Sequence, residues 1–256
     1  MKVALCISGQ PRYLDRSIDQ YQNILKHNDV DVYAHMWWDE SYKGKSFVWE
    51  SKDKYPTDYD ALEDFKEKFN PVKLIAEPHK GKEFFGYDQY PDNCLFDGGM
   101  DPAITKSIIH RQRSQWYSIN QSMSFPELKD YDFIVRARTD VSIVEPIVFD
   151  NYTPDKIYMM DGALQCGGDR HYQDWFWFGP YDMMMKLNKT YDRIIPFYKD
   201  GLKHMYQMIQ HSIEESEVPG ELLDLKVYLM KRNGIDTTEQ KKIIKNKTED
   251  LQVDLV

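Results

Sequence analysis

Strand-like and helix-like segments alternate over residues 1–140, which predicts an α/β protein with a mostly parallel central sheet and helices on both faces. Two further observations support this. The apolar runs Val3 to Ile7, Val30 to Trp37 and Phe133 to Val135 have the length of buried strands. Two of them stop abruptly at polar turns, Ser8-Gly9-Gln10-Pro11-Arg12 and Arg136-Ala137-Arg138-Thr139-Asp140.

In order along the chain, Val3 to Ile7 is a strand halted by Gly9 and Pro11. Ile18, Tyr21, Ile24 and Leu25 then fall at helical spacing, and Val30 to Trp37 is the second strand. Residues 39–60 are polar and aromatic without period and are expected to form a long loop. Ala61 to Phe69 reads as a short amphipathic helix ended by Asn70-Pro71, and Val72 to Ala76 as the third strand. Residues 78–103, rich in Gly, Pro and aromatics, read as an irregular excursion. Helical spacing returns at Ile108, Ile109, Trp116, Ile119 and Met123, before the strand that leads to Asp140. Ile157 to Met160 and Trp175 to Phe178 are further strands. Two C-terminal helices are expected, one through Leu202, Met205, Ile209 and Ile213, the other from Glu221 to Lys231 with a stop at Asn233-Gly234. The second half is more mixed than the first.

Composition narrows the function. A net charge of −9 lacks the basic footprint of a general nucleic-acid binder. With 18 tyrosines and 6 tryptophans, the chain can supply a face for a planar or sugar-like ligand as well as a core. Cys6, Cys94 and Cys166 are odd in number and widely spaced, which supports neither a disulfide framework nor a zinc ribbon. The N-terminal apolar run is too short for a signal peptide, and no window approaches the ~20 apolar residues of a spanning helix. A soluble, cytoplasmic protein without a transmembrane segment is expected.

Ligands of open α/β sheets bind beyond the carboxyl ends of the strands. At that end Asp140 can hold a hard cation through oxygen, and Arg136 and Arg138 can fork onto phosphate. A surface ion pair is the plainer alternative. In the first turn, Gly9 permits close approach of backbone to ligand and Arg12 offers a guanidinium to a pyrophosphate. That turn is neither a G-x-G-x-x-G fingerprint nor a P-loop. The literal D-x-D, Asp29-Val30-Asp31, lies at the start of its strand, the wrong end, and reads as a solvated entry. Ser142 can add an oxygen near Asp140. His110, Arg113 and Tyr117 share a helical face that is either solvated or borders a ligand. His204 and His211, seven apart, are either a solvated pair or hold one metal-completing His.

The later segments Gly167-Gly168-Asp169-Arg170 and Asp174-Trp175-Phe176-Trp177-Phe178-Gly179 combine carboxylates with aromatic rings. A sugar hydroxyl needs the first as partner or base, and a sugar C–H face needs the second. Alternation puts Trp175 and Trp177 on one face and Phe176 and Phe178 on the other, and core packing accounts for at least two of these rings.

Together, Ile7 to Arg12, Asp31-Val32-Tyr33-Ala34-His35, Gln121, Tyr131-Asp132 leading to Arg136-x-Arg138-x-Asp140, and Asp174-x-x-x-Phe178-Gly179 resemble, in order, a small GT-A-type glycosyltransferase. The similarity is to the bacterial and viral group of these nucleotide-sugar-dependent enzymes that opens with an I-S-G-Q-P-R-like turn. It covers roughly residues 3–180. The resemblance implies a single GT-A-like domain over residues 1–236, with a nucleotide-binding half to about 145, an acceptor half from 146, and a charged tail at 237–256. It implies transfer of a sugar from a UDP-, GDP- or dTDP-linked donor to a glycan hydroxyl, in the cytoplasm, or the host cytoplasm if viral. Ser8, Gly9, Gln10, Arg12, His35, Arg113, Arg136 and Arg138 are the implied nucleotide contacts, and Trp175 and Trp177 the implied acceptor platform. Asp140 is the implied ligand of Mn²⁺ or Mg²⁺. Arg138 occupies the first acidic position of the family's D-x-D, so metal-independent neutralisation of the diphosphate is the alternative. Asp174 is the implied base, with Asp161 and Asp169 as substitutes. Two other functions compete. One is a non-catalytic sugar- or nucleotide-binding module. The other is a nucleotidyltransferase, which needs a Gly-rich phosphate loop that Ser8 to Arg12 does not supply.

Overall fold

The computed structural model describes residues 1–43, 60–90, 102–161, 171–202, 204–225 and 227–229. Expectations placed on Cys94, Cys166, Gly167-Gly168-Asp169-Arg170 and the 237–256 tail lie outside the described residues.

β1 (Lys2–Gly9) is apolar on both sides because both faces of the sheet are covered. Val3, Leu5 and Ile7 enter one core, and Ala4 and Cys6 enter the other. β2 (Asp29–Trp37) and β4 (Phe133–Arg138) flank β1 in parallel, and β3 (Lys73–Glu77) adds to β2. Beyond β4 lie β7 (Tyr172–Gly179), β6 (Ile157–Asp161) and β8 (Gly220–Leu223), giving the order β3-β2-β1-β4-β7-β6-β8. Within this sheet β7 alone runs against the others. The sheet is continuous across residue 145, since β4 pairs directly with β7.

α1 (Leu14–Leu25) and α2 (Ala61–Phe69) cover one face through Ile18, Tyr21, Ile24 and Phe65. The other face carries α3 (Pro102–Ser122), α4 (Tyr181–Asn188), α5 (Thr190–Lys199) and α6 (Met205–Glu215). Trp116, Ile119, Met184, Ile194 and Ile209 bury that second layer. The expected mostly parallel sheet with helices on both faces is therefore what the chain forms. A ribbon of β5 (Val141–Ile143) and β9 (Val227–Leu229) packs on the α1 side.

Local chemistry explains the cleanest boundaries. Asp60 caps α2 by accepting from the Leu62 and Glu63 amides, each at 3.1 Å. Asn70, left-handed at φ 42°, ends it one residue before Pro71.

One expectation fails, and two helices were not foreseen. No helix forms from Glu221 over the described residues. Gly220–Leu223 instead completes the edge beside β6, and Val227–Leu229 pairs with β5. Glu221 meets Lys156 at 3.2 Å on the surface rather than opening a helix. The unforeseen helices are α4 and α5, which begin directly after β7 at Pro180, the N-cap. Their Met184, Leu187, Ile194 and Phe197 are buried at helical spacing, with Pro196 accommodated inside α5.

Candidate functional site

From β1 the chain adds β2 and β3 on one side, then returns to place β4 on the other. Loops leaving the two central strands part in opposite directions at such a switch point, which opens a crevice beyond their carboxyl ends. A cleft of about 340 Å³ lies there. Ser8, Gly9, Gln10 and Arg12 line it from the β1 turn, and Arg138, Thr139 and Asp140 from the β4 turn. Trp37 and His79 close one side, and α3 forms the facing wall through Ile108, Arg111, Ser114 and Gln115.

The two turns are fastened to each other. Gly9 has φ +128°, a conformation that L side chains rarely adopt, and so lets β1 leave the sheet into the cleft. The Thr139 hydroxyl donates to the Gln10 carbonyl, and the Tyr21 hydroxyl of α1 donates to the Arg138 carbonyl.

Arg138 forks onto Asp140, Nε to Oδ1 at 2.7 Å and Nη2 to Oδ2 at 2.8 Å. Arg12 lies 4.0 Å from the same carboxylate and is oriented by Gln10 Oε1 at 2.6 and 3.0 Å. Burial pushes the Asp140 carboxyl up, but the Arg138 charge and hydrogen bonds, with Arg12, outweigh it and hold the group below its usual value. Arg138 is likewise penalised by burial, yet Asp140 and Asp174 hold it firmly protonated.

Because β7 is antiparallel, its first residues reach the edge of the sheet where β4 ends. Asp174 arrives there, accepting a hydrogen bond from Gln115 and lying 4.0 Å from Arg138 Nη1. The Arg138 guanidinium thus stands between two carboxylates. Arg136 is fully buried, lies 4.4 Å over the Trp177 ring, and donates to the Asp174 carbonyl. Burial, only partly offset by Asp174, pulls its pKa down to about 9. It supports the site from below.

Mn²⁺ or Mg²⁺ needs several oxygen ligands. Both Asp140 oxygens carry the Arg138 fork, and among the described residues no three acidic, His or Cys side chains gather to hold an ion. In this arrangement Asp140 is committed to Arg138, and an ion here would have to share that carboxylate and take its other ligands from water and phosphate.

Other predicted positions are placed elsewhere. His35 is 1% exposed, bonded to Ser118 Oγ at 2.7 Å and Glu77 Oε1 at 3.1 Å. It sits against Trp37 and ties α3 to β2 and β3, so it is a structural residue and not a cleft contact. Arg113 donates to the Phe85 carbonyl and lies 5.6 Å from the Tyr191 ring, outside the cleft lining. Trp177 is 1% exposed and packs on Trp116, which removes it as an acceptor platform. Trp175 packs half-buried on the α1-side core, parted from Trp177 despite their spacing; the β6–β7 register shifts between Met159 and Asp161. Asp161 is buried at the end of β6, outside the lining. Ser142 points to Gln20 at 3.2 Å, and Asp31 binds Lys2 and the Tyr131 hydroxyl at the opposite end of the sheet. His204 precedes α6 and stacks on Tyr206, while His211 meets Glu215 at 3.1 Å.

Sequence reasoning missed Trp37, His79, Arg111, Ser114 and Gln115. His79 Nε2 lies 2.6 Å from Ser114 Oγ, and burial lowers the His79 pKa. Ser8 Oγ and Trp37 Nε1, both in lining residues, are buried without a hydrogen-bond partner among the described residues. Polar atoms so placed call for a ligand or ordered water. Trp37 carried a usable signal, as the last residue of a strand that ends at the same sheet edge as Ser8.

No family model matches the chain, and no curated protein matches it. Among solved structures it is similar to the galactosyltransferase LgtC in complex with donor and acceptor sugar analogs. Identity is 9%, the match covers 86% of this chain and 73% of that one, and the TM-score is 0.41. A likeness at this level carries no argument about chemistry.

Proposed function

We propose that the protein is a glycosyltransferase whose switch-point cleft binds a nucleotide-diphosphate sugar. The observation that carries this reading is the charge of the cleft. Among the described residues Arg12, Arg111 and Arg138 face it against one lining carboxylate, Asp140, in a chain whose net charge is −9. Guanidiniums preorganised at a developing diphosphate stabilise the leaving group, an electrostatic contribution that needs no reorganisation during reaction. In this reading Arg138, held by Asp140, does the work of a divalent cation. Two of its N–H groups are engaged by the fork, and those on Nη1 lie 4.0 Å from Asp174, leaving them to a phosphate. Asp174 serves as base for the acceptor hydroxyl, steered by Gln115.

A non-catalytic nucleotide- or sugar-binding module is the second reading, favoured by one observation: both carboxylates near the cleft are engaged by Arg138 or Gln115.

Thermal-shift and turnover measurements with UDP-, GDP- and dTDP-sugars, with and without EDTA, test both. We expect one nucleotide family to raise the unfolding midpoint by mass action. The shift should survive EDTA, disappear in Arg138→Gln, and be accompanied by donor consumption once acceptor is present. A shift abolished by EDTA would return the metal role to Asp140. Donors left intact under every condition would support the binding module, and no shift from any donor would sink the nucleotide reading.

A further inference from the structure

A second hollow, of about 200 Å³, opens among α4, α5 and α6. Lys186, Lys189 and Arg193 line it together with Thr190, Ser212 and Ser216. Its floor is hydroxylic: Thr190 Oγ1 donates to Ser212 Oγ at 2.8 Å, and both residues are buried. One mutual bond uses one of the two hydroxyl protons. The other has no acceptor among the described residues. A donor left in this way at the floor of a hollow is open to water or to a bound acceptor.

Around the rim, Arg193 is paired with Glu215. Lys186 Nζ reaches only the Ser216 carbonyl, at 3.4 Å, and Lys189 has no ion-pair partner among the described residues. Among the described residues the lining therefore combines two lysines without a carboxylate partner and a spare hydroxyl donor, and the neighbouring Glu215 is taken up by Arg193. Its best partner is a group that only accepts and carries negative charge.

We propose that this hollow is a separate binding site for a tetrahedral oxyanion, the phosphoryl or sulfuryl group of a small molecule such as a sugar phosphate. Lys186 and Lys189 supply charge, and the Thr190–Ser212 pair supplies a directed hydrogen bond at the floor. The site is independent of the cleft and of the function proposed for it.

The test uses the full chain with inorganic phosphate as probe, titrated against chloride at matched ionic strength to cancel screening. Three proteins are compared: the unaltered chain, Lys186→Gln/Lys189→Gln, and Arg138→Gln. Lys186 and Lys189 are exposed, so their replacement leaves the fold intact. Phosphate should raise the unfolding midpoint saturably in the unaltered chain and in Arg138→Gln. In the lysine variant the affinity should fall about tenfold or more, the range for lost charge-assisted hydrogen bonds. Glucose 1-phosphate competing at the same site would support a sugar phosphate. Cosedimentation with vesicles of phosphatidylcholine and phosphatidylglycerol, lost in the lysine variant, would overturn the small-molecule source in favour of a lipid headgroup. A phosphate response unchanged in the lysine variant, or present only when Arg138 is intact, would overturn the site itself.

Discussion

Arg138 and Asp140 form a bidentate pair two residues apart at the tip of β4, with Asp140 buried and Arg138 partly exposed to the cleft. Removing one partner takes away two charge-assisted hydrogen bonds while the remaining charge keeps some access to the cleft, a loss of about 1.5–3 kcal/mol. Asp140→Asn is thus expected to destabilise the fold by about 2 kcal/mol. The double variant Asp140→Leu/Arg138→Met should recover most of that loss while losing donor binding. Urea unfolding of the unaltered chain, Asp140→Leu, Arg138→Met and the double variant measures the coupling, and strictly additive effects would remove the pair from the account. At this scale the two turns were legible because each ends an apolar run at the same sheet edge. His79 was not legible, since a lone histidine in an aperiodic segment signals nothing until Ser114 is brought within 2.6 Å of it. Trp177 was misassigned because a strand tryptophan reads alike as core and as platform. Arg136 and Trp116, brought to it by folding, decide the matter.

Elements whose ends carry their own chemistry were read correctly, and α2 is the clearest case. Asp60 should be worth about 1 kcal/mol to it, so Asp60→Ala is expected to lower stability by that amount without touching the cleft. An unchanged urea midpoint would show that α2 is held by Phe65 and Phe69 packing alone. The β8 segment lacked such chemistry. Gly220–Leu223 has too few residues for either period to stand out, and the free edge of β6 determined its pairing. α4 and α5 were hidden for a different reason: the turn at Lys189 joins two short helices, and Pro196 interrupts the pattern of the second.

For the molecule as a whole, one buried and one half-buried histidine work against stability in acid. Burial lowers the pKa of His35, outweighing its contacts with Glu77, and lowers that of His79. In the unfolded chain both titrate near 6.5. Below that pH the unfolded state binds more protons than the native state, so stability rises with pH. Their contribution is fully present above about 6.5 and is lost as pH falls toward the depressed native values. Asp140 adds a second loss at lower pH, as it falls below the carboxyl's ordinary 3.8. Urea midpoints should be lower at about pH 5.5 than at about pH 7.5; an equal or higher midpoint at the acid end would contradict the burial of neutral histidines.

The stitch between Thr139 and Gln10 joins residues 129 positions apart. β1 cannot be flanked by β4 until the intervening strands, helices and loops have been made, and pairings this distant form slowly because closing so long a loop costs entropy before any contact rewards it. During synthesis Ser8 and Gly9 leave the ribosome long before Arg138 does, and they wait without their counterpart. The cleft is a late event in the life of the chain, and occupancy by a ligand reports that β1 and β4 have met rather than that the first strands alone have folded.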